Sequence, residues 1–214
     1  FKKLSFNSKI VLSTSVILLA VGTLLLKMTE DISWMGAFFN SVSARTAGFS
    51  TFPLGEFTSA GLLSVSVLMF IGACAGSTGG GIKCARILVL FKTVRRELRK
   101  IVHPRSVNVV KLDGAVVPET TLHTIQVFFV TYLFIMLGAS VLVGLDNNSF
   151  GTTLTAVISC LSNVGPGLEL VGPMGNFTCF SAISKLILSL CMIIGRLEIF
   201  PILILFSPAA WKRS

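Results

Sequence analysis

Charge is what this sequence has least of. Only 13% of its residues are Asp, Glu, Lys or Arg, against 53% hydrophobic, and the mean hydropathy is +0.86. A soluble domain of 214 residues carries far more polar surface, so an ordinary water-exposed fold is excluded. Acidic residues are scarcer still, nine against eighteen basic, and there are only two histidines. The five cysteines, Cys74, Cys84, Cys160, Cys179 and Cys191, are odd in number and lack CxxC spacing. Four lie in or beside apolar stretches, which reads as small buried thiols and implies neither a disulfide framework nor a metal cluster. No carboxylate or histidine pair is placed beside a nucleophile, so an enzyme is not expected, and nothing suggests a cofactor. An initiator methionine is also missing, and a fragment of a longer chain is the expectation.

What is present is apolar sequence in long runs: Ile10–Leu26, Leu62–Ala75, Ile125–Leu145 and Cys179–Leu205. Several approach the ~20 residues that cross a bilayer, and they are too many and too distant from the N-terminus for signal peptides. Basic residues gather in one stretch, Lys83, Arg86, Lys92, Arg95, Arg96, Arg99, Lys100, Arg105 and Lys111, joined by Lys2, Lys3, Lys9, Lys212 and Arg213 at the ends. The positive-inside rule makes these cytoplasmic and accounts for the net charge of +9 without nucleic acid. Glu30, Asp31, Glu56, Asp146 and Glu169 then face outward. The expectation is an all-α, multi-pass protein of the plasma membrane.

The chain also repeats itself. Thr46-Ala47-Gly48-Phe49-Ser50 returns as Asn163-Val164-Gly165-Pro166-Gly167, 117 residues on, each copy after a short amphipathic stretch and before a long apolar one. Asp31–Ser43 and Asn148–Leu161 read as short helices, too short at ~1.5 Å per residue to span, hence re-entrant. Non-helical backbone at that depth survives only when buried in protein or lining water. Residues 1–117 and 118–214 thus form two helix–pore-loop–helix repeats, as expected when a pore lies on a pseudo-symmetry axis. A helix C-terminus aimed at each glycine segment favours a cation, and glycine at 48 and 165 permits the backbone angles that turn carbonyls inward. Either glycine alone would pass for a turn.

A second glycine-rich stretch, Gly72 to Gly81, interrupts the second apolar segment of the first repeat, where glycine, serine and threonine cost helix stability. An irregular loop beneath the glycine segments is predicted. It is not a phosphate-binding loop: Ile82 separates the last glycine from Lys83, and Cys84 stands where Ser or Thr is required.

Four stretches in order carry a resemblance. Ser43 to Ser50, Gly72 to Lys83, Ser162 to Gly167 and Gly195 to Pro201 together resemble the Trk/Ktr/HKT superfamily of potassium transporters. The basic link with His103-Pro104 is more similar to the Trk-type membrane subunit. Members have four such repeats around one pore, so this sequence corresponds to the third and fourth. The resemblance implies a carbonyl-lined potassium filter at Thr46, Ala47, Gly48, Phe49, Asn163, Val164, Gly165 and Pro166. It implies a mobile gate at Gly76, Ser77, Thr78, Gly79, Gly80 and Gly81, with Arg196 approaching from across the pore to bond loop carbonyls. A helix-contact salt bridge is the other reading of Arg196. Arg45 is expected to pair behind the filter with an acidic residue. Implied partners are the absent N-terminal half or an equivalent chain, a second copy of the full-length protein, and a cytosolic ring of nucleotide-binding regulatory subunits. Compared with the TVGYG loop of potassium channels, Asn163 replaces threonine and Phe49 and Pro166 replace tyrosine, so selectivity is expected mainly at Gly48 and Gly165. The alternative in another class is a secondary transporter with a closed midplane site.

Overall fold

The computed structural model describes residues 6–52, 54–74, 76–77, 79–103, 109–112, 115–197 and 199–205. Pro104, Arg105, Lys2, Lys3, Lys212 and Arg213, all invoked above, lie outside the described residues, as does Thr78 of the expected gate.

Among the described residues the α-helices in chain order are α1 Phe6–Thr29, α2 Trp34–Ser43, α3 Ser59–Ile71, α4 Cys84–Val102, α5 Glu119–Gly144, α6 Phe150–Ser162, α7 Ala182–Leu197 and α8 Ile199–Leu205. The all-helical expectation needs one addition. Lys111–Leu112 (β1) and Ala115–Val116 (β2) pair antiparallel between α4 and α5. Among the described residues only α1 and α5 are long and apolar enough to span a membrane singly. The 26 residues of α5 reach ~39 Å, ample for a hydrocarbon core of ~30 Å.

The two short helices begin at Trp34 and Phe150. Ser33, not Asp31, caps α2 by accepting from Gly36 N at 3.1 Å, and Ser149 caps α6 by accepting from Thr152 N at the same distance. A serine oxygen that meets an orphan N–H in this way satisfies the first turn of the helix.

Packing follows the two repeats. α1 lies on α2 and α3, while α6 lies on α5 and α7. Leu26, Ala37, Val65, Leu68 and Met69 form one core, joined by Ile158, Val164 and Leu168 from the second repeat. Tyr132, Val143, Ala156, Val157, Leu161, Leu188 and Cys191 form another. α6 also touches α3, so it is buried on both sides. At the basic end of the bundle, Arg86 stacks on the Phe128 ring at 4.0 Å, and Arg96 pairs with Glu119 at the start of α5. The outward faces of α1, α5 and α7 remain apolar, with Ile17, Phe134 and Ile183 all exposed, as lipid rather than water demands.

Candidate functional site

The C-terminal ends of α2 and α6 deliver the chain to segments 46–50 and 163–167. Each segment alternates backbone hand. Thr46 (φ 82) and Gly48 (φ 78) are left-handed in the first, Asn163 (φ 54) and Gly165 (φ 109) in the second. Alternation of this kind prevents a regular helix or strand. Threonine and asparagine pay a strain penalty there, which the surrounding contacts must hold in place.

Those contacts are matched between repeats. Gly48 N donates to Ser43 O at 3.0 Å, and Val164 N donates to Ser159 O at 3.0 Å. The Ser43 hydroxyl donates to the Phe49 carbonyl, and Ser159 Oγ donates to the Pro166 carbonyl at 2.7 Å. Each serine sits near the end of its short helix and ties down the oxygen just after the glycine. Sequence reasoning missed both, although the repeat offset places them in near-equivalent positions.

The segments meet. A Cβ on Gly48 would collide with the Val164 carbonyl oxygen and lie 2.8 Å from Pro166 Cδ, whereas a Cβ on Gly165 would meet nothing within 4 Å. Gly48, Phe49, Ser50, Gly165 and Pro166 line one open cavity of about 390 Å³, with Val171, Gly172, Pro173, Gly175 and Phe177 at its outer rim. Ala47 flanks Gly48 and donates to Ser43 O.

The glycine loop lies against the inner ends of both segments. A Cβ on Gly79 would lie 2.7 Å from Thr46 Oγ1, and one on Gly80 would lie 2.7 Å from the Ser162 carbonyl oxygen and 2.8 Å from Asn163 Nδ2. Asn163 Nδ2 is itself buried without a hydrogen-bond partner. Gly72, Gly76 and Gly81 take positive φ, and so does Lys83 at 74°. The two limbs of the loop pair with each other: Ala73 N with Gly80 O, Lys83 N with Ile71 O, Cys84 N with Ala73 O. Ser77 bonds back to Cys74 O through both its N–H and its hydroxyl.

Arg45 corrects an expectation. Among the described residues it donates to no acidic side chain but to Gly72 O (3.4 Å), Cys74 Sγ (3.4 Å) and Cys84 Sγ (3.1 Å), clamping the neck of the loop to the end of α2. The sequence offered a charge beside the glycine segment but no signal that its partners were a carbonyl and two thiols 27 to 39 residues away. Arg196 is exposed in the last turn of α7. Its neighbour Gly195 packs on the Leu161 carbonyl and on Asn163 Nδ2. Glu169, also missed as a site residue, accepts from the Ser149 and Thr152 hydroxyls above the start of α6, and these bonds, Ser149 foremost, hold its carboxyl below the usual range. Among the described residues no group of three or more His, Cys, Asp or Glu could hold a metal.

Residues 3–213 match the model of the TrkH family, described as a cation transport protein. The chain is 41% identical over 184 residues to the Trk system potassium uptake protein TrkH of Escherichia coli K12, covering 82% of this chain and 36% of that protein. It is 34% identical over 181 residues to TrkI of Halomonas elongata, with 82% and 36% covered. It also matches the crystal structure of the potassium transporter TrkH from Vibrio parahaemolyticus with a TM-score of 0.79 and 32% identity, over 94% of this chain and 44% of that one. The chain therefore spans little more than a third of the length of these curated relatives. It is an integral membrane protein, and it belongs to the TrkH family of cation transport proteins.

Proposed function

We propose that this chain supplies half of a potassium pore, with residues 1–117 and 118–214 as the two helix–pore-loop–helix repeats. Thr46, Ala47, Gly48 and Phe49 form one quarter of a carbonyl filter, and Asn163, Val164, Gly165 and Pro166 form another. The observation that carries this reading is the meeting of two segments of alternating backbone hand, each tethered by a serine to the helix that precedes it. Carbonyl oxygens held from behind can replace a cation's water without collapsing onto one another. Two quarters cannot surround an ion, so the remaining repeats, in the same polypeptide or another chain, complete the ring. The matching relatives are potassium uptake proteins by name, which supports potassium as the permeant ion.

Gly76, Ser77, Thr78, Gly79, Gly80 and Gly81 serve as the gate, because the loop occupies the space directly under both segments, and its glycines admit the close approach of backbone to backbone. Arg196 adds positive charge at the cytoplasmic side of the path. The complete protein is a homodimer regulated by a cytosolic nucleotide-binding ring, for which the basic end of α4 offers an electrostatic surface.

The test uses the full-length protein in liposomes, measuring rubidium and sodium flux for Gly48→Ser and Gly165→Ser. Loss of rubidium flux, or of its preference over sodium, is expected, most severely at Gly48, and an unchanged preference in both variants refutes the filter. One observation favours a second reading: the closure beneath the filter is also what a carrier with an occluded midplane site would present. Single-channel currents from the reconstituted protein exclude that carrier.

A further inference from the structure

Two thiols flank the glycine loop and face each other across its neck. Cys74 lies two residues beyond the end of the α3 cap, and Cys84 opens α4. Both sulfurs contact the same Arg45 nitrogen, at 3.4 and 3.1 Å. Cys84 N is bonded to Ala73 O, which fixes the two backbone limbs side by side at this level. Cys74 Sγ also contacts Ser15 Oγ on α1 at 3.0 Å and is half-buried, whereas Cys84 is buried. One sulfur can thus be reached by a small reagent, and the second waits behind it.

We propose that Cys74 and Cys84 are a modification site, forming a reversible disulfide that clamps the glycine loop against the two filter segments when a peroxide-class oxidant is present. The Cys74 sulfur attacks a peroxide oxygen, the O–O bond breaks, and a sulfenic acid forms with release of one water. The Cys84 sulfur then displaces the sulfenic oxygen, which leaves as a second water with the remaining thiol proton. Two electrons pass from the sulfurs to the peroxide, and one S–S bond replaces two S–H bonds. Parting the limbs 71–74 and 80–84 must otherwise break only a few backbone hydrogen bonds and the Arg45 clamp. A covalent link across the same gap removes that freedom. The pairing stands on the geometry of the thiols, while its effect on transport rests on the proposed role of the loop as gate.

The sequence makes the test unambiguous. Trypsin cuts after Arg45, Lys83 and Arg86, leaving Cys74 on peptide 46–83 and Cys84 on peptide 84–86, which remain joined only through sulfur. Full-length protein in liposomes is treated with hydrogen peroxide, digested without reductant and weighed, with rubidium uptake followed in parallel. The linked peptides are expected in the wild type. Uptake should fall at least about tenfold and return with dithiothreitol, while Cys74→Ser and Cys84→Ser, each normalised to its own untreated flux, stay insensitive to peroxide. If a serine variant does not fold, phenylarsine oxide on the unmodified protein must bridge the same two peptides. No linked peptide by either reagent overturns the inference. A linked peptide with undiminished uptake overturns the clamp and faults the gate assignment, leaving only the thiol pairing.

Discussion

Glycine at 48 and glycine at 165 occupy the same place in two repeats yet do different work. Both are left-handed, so a side chain at either carries a strain of about 1–2 kcal/mol. At Gly48 the added methyl also meets the Val164 carbonyl oxygen, a backbone atom that cannot swing aside, whereas at Gly165 it meets open space. Gly48→Ala should therefore lower the melting temperature by several degrees more than Gly165→Ala. It should also lower rubidium flux more steeply, because the displaced atom is a proposed ligand oxygen. Equal losses in the two variants, read by thermal unfolding and by flux, would show that the segments do not touch as described. The serines behind the segments are a gentler probe. Ser159 is fully buried and donates to the Pro166 carbonyl, so Ser159→Ala leaves that oxygen without its donor at a cost of about 1–3 kcal/mol. The expected outcome is a modest fall in stability with a larger rise in sodium leak, measured as the ratio of sodium to rubidium uptake.

At the scale of elements, the capping of α6 carries a pH dependence whose sign is fixed. Glu169 accepts from Ser149 and Thr152 at the N-terminal end of α6, where the helix dipole also favours a carboxylate. Its folded pKa is lowered, so its contribution is fully present above the unfolded pKa, ~4.3 for glutamate, and is lost as pH falls through the folded value. Glu169→Gln should thus be less stable than the wild type near neutrality, with the gap closing as the pH drops below ~4.3 in thermal unfolding series. A gap that persists undiminished would assign the effect to packing. The elements themselves were largely legible in the sequence, for a physical reason: in a bilayer, length and apolarity decide which segments span, and α1 and α5 satisfy both. The break at Gly72 was legible because glycine and serine in an apolar helix have no compensating side chains to bury. Helix starts were less so, since Asp31 and Ser33 are both acceptable caps and only the bond from Gly36 N chooses between them. The partners of Arg45 were not legible at all. They depend on how α3, the loop and α4 fold back on α2, a long-range arrangement with no local pattern.

For the whole molecule, the decisive feature is how unevenly the two short helices are covered. α6 is buried along nearly its full length between α3, α5 and α7, whereas α2 exposes Trp34 at 61% and Met35 at 76% together with Phe38 and Phe39. In a ring of four repeats each short helix is flanked by its own repeat and the one before it. That is what α6 has and what α2 lacks, and it supports a neighbouring repeat packed on the aromatic face. Orientation of the whole follows from charge: Lys92, Arg95, Arg96, Arg99 and Lys111 line one cavity at the end of α4, beside the start of α5. If that end is cytoplasmic, the loop after segment 163–167 is outside, and it carries Cys179, an exposed thiol, while Cys84, Cys160 and Cys191 are buried. A membrane-impermeant maleimide applied to intact, right-side-out vesicles should modify Cys179 in the wild type and nothing in Cys179→Ser. Cys74, half-buried and on the glycine-loop side of segments 46–50 and 163–167, should be reached only from the opposite face. Labelling of Cys179 that required permeabilised vesicles would invert the molecule in the membrane. It would then place the basic cavity outside and remove the physical basis for reading the glycine loop as the inner, cytoplasmic end of the path.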